Sequence, residues 1–238
     1  MGKRIISQRR GAGTPRFTAP SHRYAGTISS KRVMDNKFHV GKVVELVHST
    51  GHSAPLMRVQ YDDGETVLLP AFDRVAIGDL ISIGPGAEIK DGTTLPLTAI
   101  PEGTLIYNIE STPGDGGKFV RSAGNFARLL TKTGDKVTVQ LPSKKEHIFS
   151  NQCRATIGTI SGAGRKEKPF MKAGNKFHAK RAKGKLYPVV SAVAMNAMEH
   201  PFGSGRGRHM GKPSIAPRHA PPGRKVGQVR ARRTGHKR

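Results

Sequence analysis

The chain reads as a mainly β protein: two small barrels in tandem, framed by long irregular basic extensions. Three observations carry that reading. Nine short stretches rich in β-branched residues fall between residues 38 and 161. Turn residues separate them, and the charge excess is confined to the two ends. Hydrophobic residues make up only 35% of the 238 and aromatics 5%, with no Trp. That supply is thin for a core spanning the whole chain and adequate for one confined to the middle. Gly (29) and Pro (16) are abundant, which leaves much of the rest to loops and extended segments.

Residues 1–37 form the amino-terminal extension. Over residues 1–38 there are 9 Lys/Arg and one acid. The first barrel, OB-like, occupies 38–84. It is built from FHVGKVVELVH (38–48), LMRVQY (56–61), ETVLLPA (65–71) and LISIG (80–84). Asp63-Gly64 predicts a hairpin between the second and third stretches, and Gly78-Asp79 a turn before the fourth. The stretch Gly84–Gly103 is rich in Pro and Gly and reads as the join. The second barrel, SH3-like, occupies 85–161, with strands in TLIYNIES (104–111), FARLLTK (126–132), KVTVQL (136–141), EHIFS (146–150) and RATIGTIS (154–161). Thr133-Gly134-Asp135 turns one of these into the next. No stretch holds ten residues of clean 3.6 periodicity, so few helices are expected. Residues 39–161 hold 12 Lys/Arg against 13 acids, the balance of an ordinary globular protein. Residues 162–238, the carboxy-terminal extension, hold 20 Lys/Arg against two acids. Taken alone, each extension has too few large apolar residues to bury a core and should be disordered.

The formal net charge of +25 adds nothing to a fold and works against compactness, so a polyanionic partner is implied. Nucleic acid stands first, ahead of an anionic membrane surface or an acidic protein. A solvated, nonspecific tail or a targeting signal is the bland reading of one basic tail; two tails around a neutral middle argue against it. The single Cys153 excludes an internal disulfide and fits a reducing compartment. No run of eighteen apolar residues occurs, so no membrane helix is expected. The start, MGKRIISQRR, has no apolar region after its charges, so no signal peptide is expected.

Enzyme chemistry needs a constellation, and the usual ones are missing. There is no P-loop, dinucleotide fingerprint, C-x-x-C or H-E-x-x-H. His200, His209, His219 and His236 are unevenly spaced, which suits RNA contact or simple exposure better than a metal cluster. Cys153 reads as a small buried hydrophobe, not a nucleophile. Asp62, Asp63, Asp91, Asp115 and Asp135 sit in turn-like contexts and read as turn chemistry. No catalysis, cofactor or protein-held metal is expected. The basic segments offer few aromatics (Phe17, Tyr24, Phe170, Phe177, Tyr187 and Phe202), so phosphate and shape contacts to folded RNA should dominate. DNA compaction is the rival, but it calls for dimerisation, helices or β-arms that are not evident. No homo-oligomer is expected.

A more specific likeness follows from ordered motifs. QRRGAGTPRFTAPSHRY, AEIKDGTTLPLTAIPEGT, PGDGGKFVRSAGN, CRATIG, KAGNKFH, VAMNAMEHPFGSG and APPGRKVG run from residue 8 to 227. In that order they resemble the large-subunit ribosomal protein L2 family in its archaeal and eukaryotic form. The resemblance implies an OB-fold followed by an SH3-like barrel, with extensions threading into large-subunit ribosomal RNA in the cytoplasm. It also implies neighbouring ribosomal proteins as partners, indirect links to the small subunit and tRNA, and support of the peptidyl-transferase centre. Structural magnesium would be held mainly by the RNA. Arg121 and Arg154 should be RNA contacts at the barrels, and His200 matches a histidine linked to peptidyl transfer. An imidazole flanked by Pro201 and Gly203 suits a positioning role better than proton transfer. Two departures stand out: Ser191-Ala192 replaces the usual Arg-Gly, and Ser204 interrupts the Gly-rich stretch.

Candidate RNA contacts in the amino-terminal extension are Arg9, Arg10, Arg16, His22 and Arg23, and at the barrels Lys118, Arg121 and Arg154. The carboxy-terminal extension adds Arg165, Lys166, Lys172, Asn175, Lys176, His178, Lys180 and Arg181. Beyond them lie Asn196, His200, Arg206, Arg208, Lys212, Arg224 and Lys225.

Overall fold

In the computed structural model the described residues are 2–33, 38–165 and 167–229, and they divide into two units. One, the β body, is Ser21–Pro169; the other, the arm unit, joins Met1–Pro20 to Phe170–Arg238.

The β body is one open ten-stranded sheet. Its strands are β1 (His39–Val47), β2 (Leu56–Tyr61), β3 (Thr66–Pro70), β4 (Leu80–Ile83) and β5 (Thr94–Pro96), followed by β6 (Leu105–Tyr107), β7 (Ala127–Thr133), β8 (Lys136–Gln140), β9 (Glu146–Ser150) and β10 (Arg154–Ile157). They run in the order β3-β2-β1-β4-β5-β10-β6-β7-β8-β9. Neighbours are antiparallel except β4 and β5, which meet in parallel at Ile83 and Thr94. Each end of the sheet is a meander led by a bulged strand. The register of β1 slips between Val43 and Glu45, and that of β7 between Leu129 and Thr131. Such bulges increase twist and curl a sheet towards a barrel. The Asp63-Gly64 hairpin is present, with Gly64 at φ 83° and the Tyr61 amide donating to the Glu65 carbonyl at 2.9 Å.

Alternation along the strands separates two cores. Val43, Met57, Val59, Tyr61, Ile81 and Ile83 fill the first. Leu95, Leu97, Ile106, Leu129, Val139 and Phe149 are among those filling the second. Each such side chain stabilises the fold by about 1.5–3 kcal/mol relative to exposure. The division is not the one between earlier and later sequence, because Tyr107, Ala123 and Ile160 pack into the first core. The stretch read as a plain join is also more than a join. It carries β5, and Leu95, Leu97 and Ile100 are fully buried. Pro96 is tolerated because it sits at the end of a three-residue strand.

Residues 21–33, read from sequence as part of the basic extension, belong to the β body. The Ser29 amide donates to the Leu68 carbonyl (3.3 Å), the Ser30 amide to the Gly116 carbonyl (3.1 Å), and Ile28 is buried.

The arm unit holds helices α1 (Ile6–Gly11) and α2 (Ala173–Arg181) and otherwise turns and extended chain. The sequence predicts disorder for each extension in isolation; here the two fold on each other. Ile5 from one and Phe202 from the other are both buried, so the scarce apolar residues are pooled. Backbone contacts add to this: the Lys3 amide donates to the Met198 carbonyl at 2.7 Å, and Ile215 bridges Gln228 in parallel. Gly227 is required where it stands. Its φ is 81°, and a Cβ there would lie 2.1 Å from the Ser214 carbonyl oxygen.

Candidate nucleic-acid interface

In the β body the loop 110–125 is built from its own acids. One Asp115 oxygen accepts from the Ser111 and Thr112 amides (3.0 and 3.3 Å), and the other accepts from the Gly117 amide (2.9 Å). Glu110 accepts from the Gly114 amide at 3.1 Å. The glycines allow close approach: a Cβ on Gly117 would lie 2.3 Å from the Asn108 side-chain oxygen. Across the loop, Asn108 (φ 49°) donates its amide to the carbonyl of Val120 (φ 52°) at 2.9 Å. A β-branched residue in the left-handed region is strained and persists only where its surroundings hold it. The strain falls between Lys118, which is exposed, and Arg121, which is half-buried. Arg121 donates through Nη1 to the Gly117 carbonyl at 2.7 Å. Burial lowers its pKa from the usual guanidinium value, with Asp115 opposing the shift. Nearby, the Ala123 amide donates to the Ser53 hydroxyl at 3.0 Å, and Arg165 donates through Nη1 to the Ser53 carbonyl. The loops around residues 53, 123 and 165 therefore meet.

Arg154 is turned inward, and here the expectation of an RNA contact is corrected. The residue is 8% exposed. Its Nε and Nη2 donate to one Glu110 oxygen at 3.1 and 2.7 Å, and its amide donates to the other at 2.9 Å. Nη1 donates to the Lys31 carbonyl at 3.0 Å. A guanidinium so placed ties β10 to the Glu110 loop and to the 28–32 segment. It orders the loop that carries Lys118 and Arg121, and its guanidinium is spent on protein partners.

Lys31 is the other inward cation, and no sequence pattern marked it. It is 4% exposed, lies over the Tyr61 ring at 5.3 Å, and pairs with Asp63 and with Glu65 (2.8 Å). Burial works to lower its pKa, but the hydrogen bonds it donates to both carboxylates outweigh that and hold the ammonium above its ordinary value. Asp63 is held below the ordinary carboxylate value, chiefly by the bond from Lys31. Asp63 thus serves its turn, accepting from the Glu65 amide at 3.1 Å, and anchors a distant cation as well.

In the arm unit, Arg9, Arg10, Arg16, Lys172, Asn175, His178, Arg181, Asn196, Arg206, Arg208, Lys212 and Arg224 are exposed. Lys176, Lys180 and Lys225 are partly buried. In the β body, His22, Arg23 and Arg165 are exposed, and Lys166 lies outside the described residues. Arg9 and Arg10 close the last turn of α1, and His178, Lys180 and Arg181 that of α2. That is the helix end at which the macrodipole favours cations.

His200 lines a cleft of about 810 Å³ whose walls all come from the arm unit. Its Nδ1 accepts from the Phe202 amide at 3.0 Å, which leaves the proton of the neutral ring on Nε2. Burial holds its pKa below the ordinary histidine value, so the neutral ring prevails at pH 7. Ser191 and Ala192, which replace the expected Arg-Gly, cap and open a 3-10 turn, Ala192–Ala194. Ser204 takes the left-handed conformation a glycine would adopt, at φ 80°.

Among the described residues no group of three His, Cys, Asp or Glu side chains is placed to hold a metal ion, and no helix is long and apolar enough to cross a membrane. His236 lies outside those residues. Cys153 is fully buried and its thiol is pushed up, first by that burial, as befits a packed side chain.

The family model for ribosomal proteins L2, C-terminal domain, matches residues 90–220. The chain is 50% identical over 241 residues to large ribosomal subunit protein uL2 of Methanothermobacter thermautotrophicus, covering 100% of both chains. It is 51% identical to the uL2 of Methanocaldococcus jannaschii, covering 99% of each. To that of Haloarcula marismortui it is 49% identical, over 99% of this chain and 98% of the relative. The chain belongs to the ribosomal protein L2 family, in its archaeal form. L2-family membership covers both units, since the alignments run nearly end to end.

Proposed function

We propose that this L2-family chain is a structural constituent of the large ribosomal subunit in the cytoplasm, binding its RNA and neighbouring ribosomal proteins. The observation that carries this reading is the end-to-end likeness to relatives named large ribosomal subunit protein. The segregation of exposed cations supports it. The β body presents Lys118 and Arg121 on a strained, pre-ordered loop, while the arms offer cations on backbone that can lie close to RNA. Where RNA helices crowd together, the arms neutralise phosphates and release counterions. Magnesium in such a particle is held mainly by the RNA, and no catalytic group is assigned to the chain. Subunit association, tRNA binding and the peptidyl-transferase centre are supported indirectly, by holding RNA in place. His200 contributes through its Nε2–H as a positioning donor, not as a proton carrier.

Gradient fractionation tests the assignment. The protein should cosediment stoichiometrically with large subunits and leave them in high salt. Recovery mainly in the soluble fraction, with subunits lacking it, would remove the assignment. With on the order of ten phosphate contacts, log K should fall with log salt at a slope of about −7 to −9. A slope near −2 would contradict phosphate neutralisation.

A further inference from the structure

The cleft beside His200 has a chemistry that phosphate neutralisation alone does not need. Its floor is apolar, made by Ile5, Phe202, Val226 and several prolines. Ile215, 36% exposed, and Met198, 48% exposed, stand at its edge. Four cations line it, Lys3, Arg4, Lys212 and Arg224, and no acid does so among the described residues. Cations meant only for a duplex backbone would sit on an open convex surface, where A-form phosphates can reach them. Here they ring a concavity whose volume falls within the range of about 300–1,000 Å³ typical of small-molecule sites. Its occupant must be anionic at one end and flat and apolar at the other.

We propose that this cleft receives an unstacked nucleotide of the large-subunit RNA, base against the apolar floor and phosphates among the four cations. The inference rests on the RNA-binding reading above and adds to it a base-contacting site. A nucleotide satisfies both halves of the lining at once. An acidic peptide would leave the apolar floor uncovered, and a lipid headgroup would bring no flat apolar surface to it. The neutral His200 ring adds no charge that would repel the surrounding cations, and its Nε2–H is a donor available to a base edge or a phosphate. The walls are pre-formed: the Lys3 amide is tied to the Met198 carbonyl, and Gly227 is packed so closely that a Cβ there would meet both Ser214 and the Phe202 ring. A base arriving there therefore meets surface that needs no ordering.

The test uses the full chain bound to purified large-subunit RNA, irradiated to form zero-length base adducts, with adducts mapped by peptide mass spectrometry. Wild type should carry nucleotide adducts on peptides from 197–226. The Ile215→Glu variant, which changes a side chain at the edge and spares the floor, should lose them by about tenfold, the scale of one lost base contact. Adducts on the 110–125 loop should be unchanged. Circular dichroism and RNA retention at low salt report whether that variant stays folded, and Lys212→Glu provides a second, exposed change in the same lining. Adducts on the loop with none on the cleft, or cleft adducts indifferent to both variants, would overturn the inference and leave RNA binding standing. Absence of any adduct together with loss of RNA retention would instead remove the RNA-binding reading itself. Adenosine monophosphate is added as a separate probe: micromolar binding without RNA would move the site to free nucleotides and overturn the assignment to an RNA chain.

Discussion

The β body carries 19 Lys/Arg against 15 acids, whereas the arm unit carries 22 against a single acid, Glu199. Burial divides them just as sharply. Among the described residues, Ile5 and Phe202 are the only buried hydrophobic side chains of the arm unit. The β body thus holds its shape through two packed cores and internal ion pairs, while the arm unit relies on backbone contacts, glycine close approaches and a two-residue apolar seed. The difference separates two ways of presenting a cation. Lys118 and Arg121 are held ready by strain and hydrogen bonds, so binding there costs little ordering. The arms present many more charges on a frame whose self-repulsion only a polyanion relieves.

The sharpest way to break this contrast is inside the β body. Glu110→Ala removes the carboxylate that Arg154 contacts twice through its side chain and once through its amide. An unpaired buried guanidinium is destabilising by about 3–5 kcal/mol. Urea unfolding should show that loss, and RNA affinity should fall with it because the 110–125 loop loses its anchor. A loss below about 1 kcal/mol would mean that Arg154 finds solvent, as an RNA-contacting arginine would.

The arm unit answers the same question at lower stakes. Ile5→Ala removes one of its two buried apolar anchors, worth about 2 kcal/mol, which corresponds to local opening increased by about thirtyfold. Amide hydrogen exchange should register this at α1, and the amides of β7 and β8 should remain the most protected in the chain. Arm amides protected as strongly as those strands would erase the distinction between the units.

Smaller still is the effect of pH on the Lys31 cluster. Asp63 is held below its unfolded value, so its contribution is present above a pKa of about 3.9 and is lost as pH falls through the folded value. Lys31 is held above its unfolded value, so its contribution is complete below a pKa of about 10.4 and fades as pH rises through the folded value. Lys31→Met should therefore destabilise most between those limits and converge on wild type in acid. The loss should be smaller than for Glu110→Ala, because Asp63 and Glu65 are half-exposed and water can replace their partner. Thermal unfolding of both proteins across pH measures it. A difference that persists unchanged at pH 2 would assign the effect to packing on Tyr61 instead of charge.

Much of this organisation was legible in the residues. Alternating apolar positions and the Asp63-Gly64 and Gly134-Asp135 turns located most of the strands, because both signals are local. β5 was hidden because Thr94-Leu95-Pro96 acquires its partner, β10, from about 60 residues away, and Pro looks like a breaker until its place at the end of a three-residue strand is known. Lys31 and Arg154 illustrate the limit for the candidate site. A cation in a basic sequence reads as a phosphate ligand, and only tertiary contacts reveal a buried partner such as Glu110. Lys3 and Arg4 escaped notice for the converse reason: their cleft exists only once the two ends of the chain meet. The family motifs marked His200, but its tautomer depends on the Phe202 amide.

The gentlest test concerns single arm charges. Arg206 and Arg208 are exposed within a Gly-rich stretch, SGRGRH, and neither is assigned to the cleft. Replacing each by Ala should leave unfolding unchanged and make the dependence of log K on log salt shallower by about 0.7–0.9 per residue, the counterion share of one phosphate. Arg121→Ala should reduce affinity more than either. Its loop is ordered before binding, whereas the Gly-rich stretch that carries Arg206 and Arg208 lies outside the pre-formed cleft and must be fixed on binding. Filter binding across a salt series checks both: each variant should lose about 0.7–0.9 in slope, Arg121→Ala should show the larger loss of affinity at every salt, and Arg206 giving the larger drop at every salt would reverse the ranking of the two units.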